Sequence, residues 1–323
     1  MALKLKGIPN IFERGGEDGQ ILKFRGGRRN PEDDNDTSSP TAEIIVAADG
    51  TGDFLTIAEA LTDLGANPGI IRIKAGTYNI SSGINTSANG QHFIGSGWET
   101  IIDTTTNNIT AFTLDQSNCS IRNLKIVGTR TIGTINDGIK SSSANNVIEN
   151  VRIEEMGANG IALNASTRNM VQNCSIFDCA DSSIVLNGGS DCIVSNNILY
   201  NSDQNGIEAT STANFHLITN NLIKDHGDDG ILIDNGDDFI IEGNIVEGNG
   251  SAATEDNIHI LDCVGTTILG NRCRGSAGYG ISLDAAATVA DRTCIVGNIL
   301  VNNTTGALDD NGTNTTIAGN ITA

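Results

Sequence analysis

The chain has 323 residues, of which 38% are apolar, and carries a formal charge of −20 with a pI near 4.3. This is enough to build one large core or two ordinary ones, while the acidity argues against nucleic acid and anionic membranes as partners, since both are bound by neutralising phosphate. Only 4% of residues are aromatic and 4 are proline, against 38 Gly and 38 Asn, which excludes an ordinary helical enzyme and points to many turns around an aliphatic interior.

Residues 1–30 hold seven Lys/Arg against three acids, and NPEDDNDTSSP follows, ending at Pro40. With Gly15, Gly16, Gly19, Gly26 and Gly27 this start reads as a flexible or partner-dependent arm and linker, residues 1–40, ahead of a body spanning 41–323. MALKLKGIPNIF lacks the continuous apolar run of an export signal, and no apolar run approaches the roughly 18 residues of a membrane span. Next comes GTGDFLTIAEALTDLGANPG, where Asp53 to Thr56 precede Ile57, Ala58, Ala60, Leu61 and Leu64. The pattern predicts an amphipathic helix of roughly ten residues stopped by Gly65.

From residue 121 onward a period governs the sequence. Aligning SIRNLKI, VIENVRI, MVQNCSI, IVSNNIL, LITNNLI, IIEGNIV, TILGNRC, CIVGNIL and TIAGNIT places Asn123, Asn150, Asn173, Asn196, Asn220, Gly243, Gly270, Gly297 and Gly319 in one column, at spacings of 22 to 27 residues. The next column ends in six asparagines, Asn197, Asn221, Asn244, Asn271, Asn298 and Asn320. Two residues before the Asn/Gly column runs an aliphatic stack from Ile121 to Ile317. A second motif alternates with the first (NDGIK, ANGIAL, SSIVL, QNGIEA, DDGILI, EDNIHIL, GYGISL, TGALDD), with Ile139, Ile161, Ile184, Ile207, Ile231, Ile258, Ile281 and Ala307 as its aliphatic column. Strands this short, separated by Gly, Asn and Asp turns, leave no room for helical crossovers, so each period forms one coil of a solenoid. Coils stacked at about 4.8 Å put like residues on like, and Asn amides in register can bond from coil to coil while tolerating a left-handed bend. Seven scattered cysteines, an odd number without a Cys-x-x-Cys pair, are expected to be buried thiols and not a zinc site.

The pattern resembles the right-handed parallel β-helix superfamily, which includes pectate lyases, pectin methylesterases, mannuronan epimerases, periplasmic NosD-type repeat proteins and phage tailspikes. GDFLTIAEAL is similar to the amino-terminal capping segment of pectin methylesterases and tailspikes, and IRIKAGTYNI with GSGWETIID to their first coils. The resemblance implies an all-β, single-stranded right-handed parallel β-helix with an N-terminal capping helix behind a flexible N-terminal arm.

Alternation in the second motif turns the residue after each Ile outward: Lys140, Ala162, Val185, Glu208, Leu232, His259, Ser282 and Leu308. Asp234 and Asp284 follow two positions further along. Glu208, Asp234, His259 and Asp284 are therefore expected on one face across four coils, about 5 to 10 Å apart. Carboxylates at such separations serve as acid and base, and an adjacent histidine can move a proton. The densest acidic stretch, DHGDDGILIDNGDD, offers Asp228, Asp229, Asp237 and Asp238 as candidate calcium ligands, although Asp is also a preferred turn residue and no EF-hand spacing is present. His92, His216 and His226 are given no role, while Tyr78, Tyr200, Tyr279, Phe215 and Trp98 are candidates for stacking on sugar rings. The motifs of the resembled enzymes do not carry over as sets. GYGISLDAA has Tyr279 and Asp284 but neither the Pro nor the His of the epimerase run, only DDG at Asp228 to Gly230 matches the polygalacturonase pattern, and the methylesterase catalytic motifs are absent.

Gly15 to Arg28, GGEDGQILKFRGGR, resembles Gly-x-x-Gly-Gln segments near junctions of phage tail fibres and virion appendages. With the β-helix body, it implies a tailspike-like homotrimer on a virion, anchored through residues 1–40 to other virion proteins and binding a cell-surface polysaccharide, with or without cutting it as a lyase or glycoside hydrolase. Two alternatives stand beside it: a secreted lyase, epimerase or esterase acting alone, and a purely structural β-helix.

Overall fold

The computed structural model describes residues 42–105, 109–131, 136–251, 254–284 and 291–323; the arm expected at 1–40 lies outside these. The unit that begins at Pro40 is a parallel β-solenoid of about 11 turns. Its strands form a 21-stranded and an 11-stranded sheet, in which every described pairing is parallel and joins one coil to the next.

Two consecutive positions in each repeat do different work. The first, from Asn123 through Asn220 to Gly319, has a left-handed backbone, with φ of 55° at Asn220 and 64° at Gly243. Asn and Gly are the residues that tolerate this conformation, so the column is a bend requirement. The second position points inward, where Asn197, Asn221, Asn244, Asn271 and Asn298 are buried. Each of these amides donates to the next amide and to a strand carbonyl of the preceding coil; Asn221 Nδ2, for example, lies 3.0 Å from Asn244 Oδ1 and 2.9 Å from the Val194 carbonyl. Asn244 Oδ1 also accepts the Asn221 backbone N–H at 2.9 Å.

Around these amides the core is aliphatic. Ile121, Ile148, Val171, Val194, Ile218, Ile241, Ile268 and Ile295 form a buried column in the larger sheet, and Ile139 through Ile281 form one in the smaller. Six cysteines occupy inward positions, Cys294 is half-buried, and all seven are free thiols. Burial pushes the Cys174, Cys179 and Cys263 thiols up to about 12.

The expected helix spans Ile57–Leu64. The Thr56 side chain caps the Glu59 N–H at 3.2 Å, the Glu59 carboxylate returns to the Thr56 N–H at 3.1 Å, and Gly65 ends the helix with φ of 58°. Its buried face, Ile57, Ala60 and Leu64, packs on the first two strands, Ala42–Val46 and Gly69–Ile73.

One register expectation fails. Leu308, not Ala307, pairs with Ile281, so Asp309, not Leu308, enters the outward column beside Ser282. Tyr279 pairs with Gly306, so Gly306 stands two residues before the aliphatic position, where the alignment puts it one before.

Candidate functional site

The smaller sheet brings Val185, Glu208, Leu232, His259 and Ser282 into one outward column, each the register partner of the next. Glu208 and His259 are thus two coils apart, about 10 Å at strand spacing. Asp234 pairs with Leu261, further along its strand than Leu232, and Asp284 directly follows the strand Tyr279–Leu283.

The turn entering each strand holds a second column that the sequence reading passed over. Two residues before each aliphatic position stand Asp137, Asn159, Ser182, Asn205, Asp229, Asp256 and Tyr279. A side-chain oxygen of each of the first six accepts the backbone N–H of the next: Asn159 N to Asp137 at 3.1 Å, Ser182 N to Asn159 at 3.1 Å, Asn205 N to Ser182 at 3.3 Å, Asp229 N to Asn205 at 3.0 Å, Asp256 N to Asp229 at 2.5 Å, and Tyr279 N to Asp256. Asn and Ser suffice for this role, so the two buried carboxylates Asp229 and Asp256 add charge where the turn needs none.

His259 lies over that charge. Its Nδ1 is 3.0 Å from Asp229 Oδ2, so Nδ1–H donates to the carboxylate, and its Nε2 points toward Asp284 Oδ2 at 3.7 Å. Burial alone would lower the imidazole pKa, but the Asp229 hydrogen bond and the charges of Asp229, Asp256 and Asp284 outweigh it and hold the ring above its ordinary value. Asp256 is pushed up by burial, against hydrogen bonds from the Ser282 hydroxyl and the Tyr279 N–H. Asp228 is likewise pushed up, first by burial and then by the charges of Glu255, Asp229 and Glu208. Glu208 accepts from Ser182 Oγ at 2.8 Å and Asn205 Nδ2 at 3.4 Å. The outcome is an imidazole clamped by a buried carboxylate on one side and facing a half-exposed one on the other, which is an arrangement for proton transfer at the Nε2 side.

Of the four acids read as calcium ligands, the structure places Asp228 and Asp229 before the strand Ile231–Asp237, and Asp237 and Asp238 at its far end. A left-handed bend at Asn235 (φ 67°) lies between the pairs, and Asp229 and Asp237 accept the N–H groups of Asp256 and Val264 at opposite ends of the next coil's strand, so no single ion spans all four. Among the described residues, the group whose ligand atoms converge is Asp229, Asp256 and His259, one atom of each lying within 4.8 Å of the others.

The sequence profile of the NosD family, described as periplasmic copper-binding protein, matches residues 72–254 and 118–323. The chain belongs to the NosD family. A search of curated sequences gives no match. Among solved structures, a rhamnogalacturonan lyase superposes with a TM-score of 0.69 at 13% identity, covering 86% of this chain and 87% of that one. The A-module of the Azotobacter vinelandii mannuronan C-5 epimerase AlgE4 gives 0.61 at 17% identity, covering 81% and 89%. The Dettilon tailspike protein gives 0.57 at 15% identity, covering 81% of this chain and 64% of the tailspike. These likenesses establish the pectate-lyase-type parallel β-helix as the fold.

Proposed function

We propose that this NosD-family chain acts on a polysaccharide at the outer face of its smaller sheet, with His259 as the group that gives and takes the proton. The observation that carries this is the Asp229–His259 hydrogen bond with Nε2 turned outward toward Asp284. Asp229 fixes the ring and favours its charged form, so the imidazolium can protonate a leaving glycosidic oxygen, while Asp284 beside Nε2 is placed to receive a proton from sugar or water. Structural neighbours titled as a lyase, an epimerase and a tailspike, two of them named for polysaccharides, support the substrate class. The test is turnover of polymannuronate and polygalacturonate. His259→Ala should abolish it with far-UV circular dichroism unchanged, whereas full turnover by that variant would refute the assignment.

In its biological setting we read the chain as a virion appendage, trimeric and attached through residues 1–40. The segment Gly15 to Arg28 supports this, as does a set of outward isoleucines on the larger sheet, Ile198, Ile240, Ile245 and Ile299, each more than a third exposed and suited to contact with a neighbouring subunit. Native mass by light scattering decides it: three chains support the appendage, and one chain supports the exported solitary enzyme that the family's periplasmic description favours.

A second reading follows from the family's copper. Two carboxylate oxygens and one imidazole nitrogen, from Asp229, Asp256 and His259, form a donor set that suits Cu(II) better than Cu(I). A dication there would take the place of the His259 Nδ1 proton and cancel the charge of two buried carboxylates. Calorimetric titration with Cu(II), repeated on Asp256→Asn, tests it.

A further inference from the structure

A cavity of about 870 Å³ opens beside the capping helix, between the helix and residues 77–85. That volume lies in the range of small-molecule sites. The helix spends its inner face, Ile57, Ala60 and Leu64, on the core. Its remaining apolar side chains, Ala58 and Leu61, line the cavity with Leu55, which is 55% exposed. Ile84 and Tyr78, both buried, line it as well, and the Tyr78 hydroxyl is already spent on the Lys74 carbonyl at 2.9 Å.

A second wall is polar but uncharged. Asn79, Ser81, Ser82 and Asn85 form it, all exposed, and among the described residues no side-chain hydrogen bond engages them. Backbone groups add to this wall. The strand Ile84–Asn85 begins the smaller sheet and pairs on one side, with Phe112–Leu114. The Ile84 and Thr86 N–H groups go to the Ala111 and Thr113 carbonyls at 2.9 and 3.0 Å, so alternation leaves the Asn85 N–H and carbonyl on the open side.

No residue that lines the cavity is Asp, Glu, Lys or Arg, although these make up 18% of the chain. An ionic ligand would therefore lose its hydration there with no counter-charge in return. With Tyr78 buried, no ring is offered to the face of a sugar either. The aliphatic wall fits an alkyl chain, and the amide and hydroxyl wall fits an uncharged head.

We propose that this cavity binds an uncharged amphiphile with one alkyl chain, the chain against Leu55, Ala58 and Leu61 and a hydroxyl-bearing head against Asn79, Ser81, Ser82 and Asn85. The site lies seven strands along the smaller sheet from the strand of His259, about 34 Å at strand spacing, and does not depend on the polysaccharide reading.

Hexyl, octyl and decyl maltoside, each kept below the concentration at which it aggregates, are the probes for calorimetric titration of the full chain. One site per chain is expected, with affinity rising about fourfold for each added methylene. Octanoate should bind more than about tenfold more weakly than octyl maltoside. Ala58→Glu, at an exposed helix position, puts a carboxylate in the alkyl wall and should weaken octyl maltoside at least about tenfold with circular dichroism unchanged. Leu55→Asn should weaken it severalfold. Absence of saturable binding, many molecules bound per chain, or an affinity that does not grow with chain length would overturn the site. Full affinity in Ala58→Glu would do the same, and equal binding of octanoate would overturn the uncharged head. A native mass that falls in Ala58→Glu, with the maltosides silent on the wild type, would assign the cavity to contact between copies of the chain and also overturn the proposal.

Discussion

Replacing Asn244 with alanine tests whether the buried amides hold the coils together. Asn244 is 1% exposed; its Nδ2 donates to the Ile218 carbonyl and to Asn271 Oδ1, both at 2.9 Å, and its Oδ1 accepts from Asn221 N at 2.9 Å and Asn221 Nδ2 at 3.0 Å. In Asn244→Ala, Asn271 Oδ1 keeps the Asn244 backbone N–H and Asn221 Nδ2 keeps the Val194 carbonyl. The Ile218 carbonyl keeps the Glu242 N–H that the parallel register brings to it, so the Asn221 N–H is the group that loses its partner. At roughly 1–3 kcal/mol for a buried group left unsatisfied, the loss is about 1–3 kcal/mol before the lost Ile218 and Asn271 contacts and any cavity are counted. In a solenoid this loss is local to neighbouring coils, so it should appear as a shift of several degrees in the melting midpoint. Asn220→Gly, one residue earlier, removes an exposed side chain at a left-handed position that glycine also adopts, and should cost less than about 1 kcal/mol. Melting of both variants by far-UV circular dichroism gives the comparison. Equal loss from the two, or an Asn244→Ala midpoint equal to wild type, would refute the division of labour between the columns.

Acid should weaken the fold through two buried histidines. His216 and His226 accept the Cys192 and Ser202 backbone N–H at Nδ1 (3.0 and 3.2 Å), and desolvation lowers both to about 4 from 6.5. The unfolded chain then binds more protons between those values, so stability falls as pH drops from about 6.5 to 4, by up to about 3 kcal/mol per residue. Urea midpoints measured across that range check the sign, and a flat profile would contradict it. Ile231, fully buried in the smaller sheet, should not tolerate a charge: Ile231→Asp is expected to yield insoluble or protease-sensitive protein, and a soluble, protected product would count against the register.

Much of the scaffold was legible because a solenoid repeats its physics. The Ile columns and the Asn/Gly column of the larger sheet could be read by alignment alone, and the bonds confirm that adjacent asparagines sit in different environments. The last coil misled the reading because alignment on TGALDD took Ala307 for the aliphatic position, whereas pairing puts Leu308 there. At the site, alternation along the strand was enough to place Glu208 and His259 on one face. It could not show that His259 reaches back one coil to Asp229, since that contact crosses between a strand and a turn. Asp256 went unread because EDNI has Asn257 where most repeats have Gly, although the position two before each aliphatic residue already carried the signal. The acidic run 225–238 looked like a cation site because its charges are dense in sequence, but its two halves stand at opposite ends of the strand Ile231–Asp237.

In the proposed function Asp229 holds a proton on His259 for use on a polysaccharide. The most direct measurement is the turnover rate of polymannuronate and polygalacturonate as a function of pH, for the wild type and Asp229→Asn. Activity should fall, as pH rises, at a value above the ordinary histidine value in the wild type, with that limb moving to lower pH in the variant. Identical profiles, or a wild-type limb below the ordinary histidine value, would contradict it.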